Sequence, residues 1–219
     1  RRRALQLLCR CRCFVITTRT AKFYMLSEPR NEGRYARGHQ RGTWSDDVLC
    51  RGCGLSKAIL VPPLLVEWDY RNGQVLGDFA WCGAVVISEA CRLRLEHIRG
   101  VQFNVEPVVT VKAKLTPPPV SAESGSHIMH WLRGATKGSL LDGSGIQDAA
   151  RICDVCGNRM NTTKIGRLVV RNAADLNTGV FEIPECRGST SLFATEAIRD
   201  KLESAKLSNL AFVHARDLV

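Results

Sequence analysis

The 219 residues suffice for one large domain or two small ones, and 45% hydrophobic residues can supply a core. No apolar run approaches the ~20 residues that a membrane-spanning helix needs. The formal net charge is +10, but residues 1–20 hold six arginines and no acid, which leaves +4 for residues 21–219. A nucleic-acid-binding protein needs a concentrated basic face, and this distribution disfavours that class.

Residues 1–20 are predicted to be an extraneous or disordered leader. Their apolar run, Ala4 to Leu8, is too short for a secretory signal before the arginines resume. An Arg-rich, acid-free transit peptide is the alternative. We expect that deletion of this segment leaves folding intact, because unanchored chain termini are usually dispensable.

The rest of the chain is predicted to form two halves, residues 21–115 and 151–219, with a linker or loop at 116–150. The linker begins with Thr116-Pro117-Pro118-Pro119 and continues rich in Ser and Gly, which disfavours a helix or central strand. His127-Ile128-Met129-His130 lies within it and is interpreted as loop, not as a metal site.

Short apolar or alternating runs predict strands in both halves. In chain order these are Lys22 to Leu26, Leu64 to Trp68, Ala84 to Ile87, Val101 to Val105, Val108 to Lys112, Arg167 to Arg171, Val180 to Ile183 and Leu210 to Val213. The run Leu64-Leu65-Val66 is typical of a strand buried on both faces. The close spacing of the strands favours antiparallel sheets and an α+β fold.

Two helices are predicted to start at Ser88-Glu89-Ala90 and Thr195-Glu196-Ala197, because a Ser or Thr hydroxyl can cap the first turn. Their apolar faces match at a constant offset of 107 residues. These faces are formed by Cys91, Leu95 and Ile98, and by Ile198, Leu202 and Ala205. With a strand after each helix, the pattern indicates a pseudo-duplicated fold.

Each half also contains a Cys-x-x-Cys-Gly knuckle, with cysteines at Cys50 and Cys53 and at Cys153 and Cys156. Two thiolates at this spacing can bind one metal ion, and the following Gly permits a tight turn. Four thiolates complete the tetrahedral shell of structural zinc, so the four cysteines are the predicted ligands of one shared Zn²⁺. The arrangement points to a reducing, cytoplasmic compartment.

Other chemistry is disfavoured. A thioredoxin-like redox pair needs a single motif at the start of a helix, and Asp154 in the second knuckle would oppose a low thiol pKa. Cys82, Cys91 and Cys186 are interpreted as small packing residues. The sequence contains no nucleophile elbow, phosphate loop or zinc-protease helix motif, so we expect no enzymatic activity.

The paired knuckles resemble those of the double-CXXCG motif family, whose members include immunity proteins of contact-delivered swarm-inhibition toxins. Further similar stretches cover roughly residues 22–219. They are Lys22-Phe23-Tyr24, Val66-Glu67-Trp68, Gly77 to Trp81, Ala173 to Leu176, Val180 to Ile183, Leu192 to Glu196 and Leu210 to Phe212. Cys82 departs from the pattern, since a Pro is common there, and the linker does not align. The resemblance implies a protein that binds and neutralises a toxin.

The leading hypothesis is therefore a non-enzymatic immunity protein with a protein toxin as partner, no membrane or nucleic-acid partner, and zinc as a structural clip. Trp68, Trp81 and Trp131 are candidate anchors for the partner. The alternative is a zinc-ribbon nucleic-acid-binding regulator, and a redox-active thiol protein is the third reading.

Overall fold

The computed structural model describes residues 22–30, 33–41, 43–44, 51, 60–69, 74–111, 128–139, 146–147, 164–165, 170, 175–183 and 191–215. These residues form two α-helices, α1 Glu89–Glu96 and α2 Glu196–Ser204, and a 3-10 helix at Asp175–Thr178. The strands are β1 Phe23–Ser27, β2 Arg37–Gln40, β3 Thr43–Trp44, β4 Leu60–Val61, β5 Leu64–Asp69, β6 Phe79–Trp81, β7 Val85–Ser88, β8 Phe103–Val111, β9 Met129–Gly134, β10 Thr136–Lys137, β11 Ile146–Gln147, β12 Lys164–Ile165, β13 Phe181–Glu182, β14 Leu192–Thr195 and β15 Ala211–His214.

The fold is mixed α+β, as the sequence predicts, with the strands gathered mainly in two sheets. A six-stranded sheet has the order β2-β5-β8-β9-β7-β6, and a five-stranded sheet has the order β10-β13-β14-β1-β15. Among the described strands only the pairs β5/β8 and β10/β13 are parallel. Two short antiparallel ribbons, β3/β4 and β11/β12, complete the pairing.

The same strand order occurs in both sheets. In the six-stranded sheet the run is β6-β7-β9-β8, and in the five-stranded sheet it is β13-β14-β1-β15. In the six-stranded sheet β7 lies beside β6 and leads into α1, and β8, which follows α1, lies two positions from β7. In the five-stranded sheet β13, β14, α2 and β15 repeat this arrangement. One antiparallel strand, β9 or β1, fills the gap between them.

The gap is filled differently in the two sheets. β9 follows β8 in the chain, whereas β1 comes from the start of the described chain and pairs with β14 and β15. β1 falls within residues 21–115, which the sequence assigns to the first half, yet it lies between β14 and β15 in the second half's sheet. The two halves therefore share one strand across the length of the chain.

Part of the predicted linker is regular structure. The loop prediction is wrong at Met129 and His130, because β9 begins there and pairs with both β7 and β8. Trp131 and Leu132, which follow, are almost fully buried and make this a central strand. The predicted strands Val101 to Val105 and Val108 to Lys112 meet in a single strand, β8 Phe103–Val111, and Lys112 lies outside the described residues. Of Arg167 to Arg171, only Val170 is described.

Both helices start where the sequence predicts. Ser88 is the N-cap of α1, and its hydroxyl accepts a hydrogen bond from the Cys91 backbone N–H at 3.1 Å. Thr195 is the N-cap of α2, but its hydroxyl makes no capping hydrogen bond. Its Oγ1 is buried without a hydrogen-bond partner among the described residues, so the predicted cap bond is wrong for this helix.

The main core lies between the two sheets and takes side chains from both helices. Leu95 of α1 and Leu202 of α2 join residues of both sheets in this cluster. Ile98 and Ala205, just past the helix ends, pack against it as the sequence predicts. Because each helix is short, its position depends on this shared burial more than on helix propensity.

The six-stranded sheet curls into a nearly closed barrel around a second core that contains Trp68 and Trp131. Its end strands β2 and β6 approach each other near Gly38, where a Cβ atom would lie 2.6 Å from Cys82 Cβ. β5 alternates between buried and half-buried residues. The prediction that Leu64-Leu65-Val66 is buried on both faces is thus wrong at Leu65, which is half-buried on the outer face.

Candidate functional site

The cysteine knuckles lie between the strands of the two short ribbons. β3 and β4 flank residues 45–59, which contain Cys50 and Cys53. β11 and β12 flank residues 148–163, which contain Cys153 and Cys156. The four cysteines themselves lie outside the described residues, so their mutual distances and the shared site stay predictions.

The spacing between ribbon and knuckle is the same in both halves. Cys50 comes six residues after Trp44 at the end of β3, and Cys153 comes six residues after Gln147 at the end of β11. The returning strand starts seven residues after Cys53 and eight after Cys156. Each knuckle is therefore connected to the fold through an antiparallel ribbon with nearly equal arms.

The two cysteines that the structure describes are unsuited to metal binding. Cys82 and Cys91 are buried in the two main cores. Burial raises the pKa of the Cys82 thiol to about 11 and that of the Cys91 thiol to about 12. A protonated, enclosed thiol is neither a good ligand nor a nucleophile, which confirms the packing role predicted for both residues. Cys186 lies outside the described residues.

Within the described part of the chain, no group of three or more His, Cys, Asp or Glu side chains could hold a metal ion. If the four knuckle cysteines bind zinc, the ion would supply structural cross-linking, because a Cys₄ shell leaves no open coordination position. The ribbons would then be the elements that hold the two pairs of thiolates.

A polar cluster that the sequence did not reveal joins α1 to β9. His130 Nε2 lies 2.5 Å from Glu89 Oε2, and Arg92 donates to both oxygens of Glu89 at 2.7 Å. Arg92 also pairs with Glu96 one turn further along. The Arg92 guanidinium, assisted by His130, lowers the pKa of Glu89 to about 2. The only signal in the sequence is the Glu89, Arg92, Glu96 spacing on one helix face.

Beside this cluster, β8 presents valines on the outer face of the six-stranded sheet. Val105, Val109 and Val111 are 36%, 46% and 39% exposed. They alternate along the strand, so their side chains share one face, and Leu65 of β5 lies beside Val109 in register. We call this surface the valine face. Elsewhere on the same side of the sheet, α1 packs over β7 through Cys91 and Leu95.

Charged side chains, most of them in salt bridges, border the valine face on two sides. On one side Arg37 and His39 of β2 and Arg41 just after it occupy alternate positions. The side chains of Arg37 and Arg41 are 71% and 60% exposed and pair with Glu28 and Glu67. We call these three residues the basic flank. On the other side Glu89 and Glu96 of α1 are more exposed than Arg92 between them, and we call these two the acidic flank.

The three tryptophans predicted as partner anchors are not on the exposed surface. Trp68 and Trp131 are 3% and 1% exposed inside the near-barrel, so the prediction is wrong for them. Trp81 is half-buried and donates its indole N–H to the Asn209 carbonyl at 2.9 Å. Among the residues that the structure describes, the exposed large apolar side chains are instead aliphatic, which composition alone did not show.

No protein-family model matches the chain, and no curated protein is significantly similar to it. No helix within the described ranges has the length and apolar character needed to cross a membrane.

Proposed function

We propose that this chain is a non-enzymatic immunity protein that binds and neutralises a cognate protein toxin. In this proposal a structural zinc ion, held by Cys50, Cys53, Cys153 and Cys156, joins the two halves of a pseudo-duplicated scaffold. The proposal draws on the resemblance of both knuckles to the double-CXXCG motif family and assigns the chain to the cytoplasm.

The observation that carries the proposal is the matched setting of the two knuckles. Each knuckle is inserted between the strands of an antiparallel ribbon, six residues after the first strand. Nearly equal arms and a repeated strand order support two pseudo-equivalent halves that meet at one Cys₄ centre. A closed centre of this kind stabilises a scaffold and leaves no metal position for catalysis.

The charge distribution favours a protein partner over nucleic acid. Arginines with a carboxylate within salt-bridge distance are Arg37, Arg41, Arg92, Arg94, Arg133 and Arg199. Nucleic-acid affinity depends mainly on cations that are free to neutralise phosphates. Arginines already paired within the fold contribute less to such a surface.

The alternative function, a zinc-ribbon nucleic-acid-binding regulator, is favoured by the ribbons themselves, since Cys₄ ribbons are common structural zinc modules. It requires a basic surface outside residues 1–20. Nucleic-acid binding by the chain that lacks these residues therefore separates the two proposals.

The direct test is toxin neutralisation. A toxin domain is sought among the genes that adjoin this one and expressed with and without the chain, and growth and capture of the toxin on the tagged chain are measured. We expect growth to be restored and a stable complex to be captured, with and without residues 1–20.

In parallel, DNA and RNA binding of residues 21–219 is titrated with salt. We expect little affinity at ~0.15 M salt. Tight, sequence-selective DNA binding with no toxin captured would replace the immunity proposal with the regulator.

A further inference from the structure

We propose that the two halves of this chain bind each other as the copies of a homodimer do, through one self-complementary surface that each half carries. The first half is the six-stranded sheet with α1, and the second half is the five-stranded sheet with α2. The partner that fits the surface of each half is a second half of the same design. The surface consists of described residues outside the knuckles, so the match is independent of zinc and of any toxin.

Strand register shows which residues of the two halves correspond. Ser88, the N-cap of α1, pairs with Met129 at the start of β9. Thr195, the N-cap of α2, pairs with Phe23 at the start of β1. β9 and β1 therefore correspond residue by residue, although one follows its helix in the chain and the other precedes it. The pairing of β8 with β9 and of β15 with β1 then relates β8 to β15 at the offset of 107 residues that relates the helices.

The hairpin before each helix adds one further equivalence. Phe79 of β6 lies opposite Ile87 of β7. In the other half the register of β13 with β14 brings Val180, one residue before β13, opposite Ala194. Ile87 and Ala194 correspond, because each comes one residue before an N-cap. Phe79 and Val180 therefore correspond as well.

Backbone hydrogen bonds between the halves come as a matching pair. The Phe79 N–H donates to the Ser208 carbonyl, in the loop after α2, at 3.2 Å. The Val180 N–H donates to the Gln102 carbonyl, in the loop after α1, at 3.0 Å. Each bond joins the start of one half's hairpin to the loop that follows the other half's helix. Exchange of the two halves leaves this arrangement unchanged, which is the defining property of an isologous interface.

Each helix also donates a basic side chain to the loop behind the other helix. Arg94 of α1 donates to the Ala205 carbonyl, just past α2, at 2.5 Å. Lys201 of α2 occupies the position equivalent to Arg94. Its Nζ donates to the carbonyls of Arg99 and Gly100, past α1, at 3.0 and 3.4 Å. The same kind of contact is thus made twice, once in each direction across the interface.

A small apolar cavity between the sheets marks the axis that relates the halves. Its volume is about 10 Å³, and side chains of both halves line it. Side chains beside a twofold axis lie close to their own equivalents. Six of the lining residues form three equivalent pairs, which are Leu95 with Leu202, Leu132 with Leu26, and Phe79 with Val180. In the third pair one half supplies a large side chain and the other half a small one.

The first test makes the third pair identical. Phe79→Leu alone enlarges the cavity and should raise the equilibrium constant of unfolding at least about tenfold. Val180→Leu in the same chain returns nearly the same volume from the opposite half, so the double variant should lie within about threefold of the starting protein. Urea denaturation of the full chain measures each constant.

Val101→Leu is the matched control for this recovery. Val101 lines the same cavity, but its equivalent at the offset of 107 is Ser208 and not Phe79. Added to Phe79→Leu, it should leave most of the loss in place. A double variant with Val180→Leu that stays as unstable as Phe79→Leu overturns the proposal, and so does equal recovery by Val101→Leu.

Amide hydrogen exchange supplies a second readout that does not depend on core packing. Arg94→Gln should speed exchange of the Phe79 N–H several-fold, because it loosens the loop that accepts this bond. Lys201→Gln should do the same for the Val180 N–H. A reciprocal pattern, with each variant affecting the hairpin of its own half, supports the self-complementary surface. Unchanged exchange at both amides, or the same amide affected by both variants, contradicts it.

Discussion

At the residue scale, the two helices have similar N-cap sequences, but only one N-cap side chain makes the capping hydrogen bond. Ser88 accepts a hydrogen bond from the third residue of its helix, whereas Thr195 does not, although both have extended backbone dihedrals. Thr195 is also 3% exposed, so its hydroxyl is removed from water and has no hydrogen-bond partner within the described ranges. A cap residue can therefore be recognised in the sequence without its hydrogen bond being assured.

The difference predicts opposite effects of two conservative substitutions. Ser88→Ala removes a cap bond and should lower the free energy of unfolding by about 1 kcal/mol. Thr195→Val removes an unsatisfied hydroxyl of the same shape and should leave that free energy unchanged or raise it by up to about 1 kcal/mol. Urea denaturation of both variants measures the difference. Equal losses would show that the Thr195 hydroxyl has a partner.

At the scale of elements, the two sheets are joined by a backbone bridge. The Gln102 N–H donates to the Thr178 carbonyl at 2.8 Å, and the Val180 N–H donates to the Gln102 carbonyl at 3.0 Å. Gly179, between the two partners, lies so close that a Cβ atom would be 2.7 Å from the Gln102 carbonyl carbon. This bridge thus requires a residue without a side chain at Gly179.

A second connection lies nearby. Glu182 of β13, which is 7% exposed, accepts from Arg133 of β9 at 2.6 and 3.2 Å, and from the Gly134 N–H. A buried carboxylate with three donors is satisfied, whereas removal of one partner would leave a charge in the interior. The pair therefore fixes the register between the sheets.

The bridge predicts that Gly179→Ala is disruptive. The added methyl group meets backbone atoms that cannot move without breaking the hydrogen bonds of Gln102, so we expect a loss of about 2–3 kcal/mol in unfolding free energy. Gln102→Ala is the control, because it keeps both backbone bonds and should change stability by less than about 0.5 kcal/mol. Thermal and urea unfolding test the pair. A tolerated Gly179→Ala would contradict the close approach.

At the scale of the whole molecule, β1 and the shared core make the two halves interdependent. β1 completes the sheet of the second half, and the core between the sheets takes side chains from both helices. The predicted zinc clip would add a second long-range constraint, between knuckles whose first cysteines are 103 residues apart. Because the four-cysteine site does not exist in the unfolded chain, the free energy of zinc binding would add to the free energy that stabilises the folded chain.

Metal analysis tests this clip. We expect about one zinc per chain after anaerobic purification, because four thiolates complete one tetrahedral shell. Cys153→Ser should release the metal and strongly lower thermal stability, while Cys186→Ser should change neither. Two zinc ions per chain would contradict the shared site, and none would contradict zinc binding altogether.

The sequence by itself determined the helices and the strands that flank them. Their signals are local, since a capping residue and a 3.6-residue apolar period identify α1 and α2 without knowledge of their neighbours. The predicted strands that became β1, β5, β7, β13 and β15 likewise follow short apolar runs. The packing role of Cys82 and Cys91 also followed from residue chemistry.

Only the tertiary structure decided which strands pair and which faces are covered. The place of β1 between β14 and β15, and of β9 inside the predicted linker, depends on contacts between residues far apart in the chain. Burial is decided in the same way. Trp131 and Val109 are both apolar, but Trp131 is enclosed by the elements packed around it and Val109 is exposed. Strand periodicity assigns side chains to two faces, but it does not say which face meets a partner.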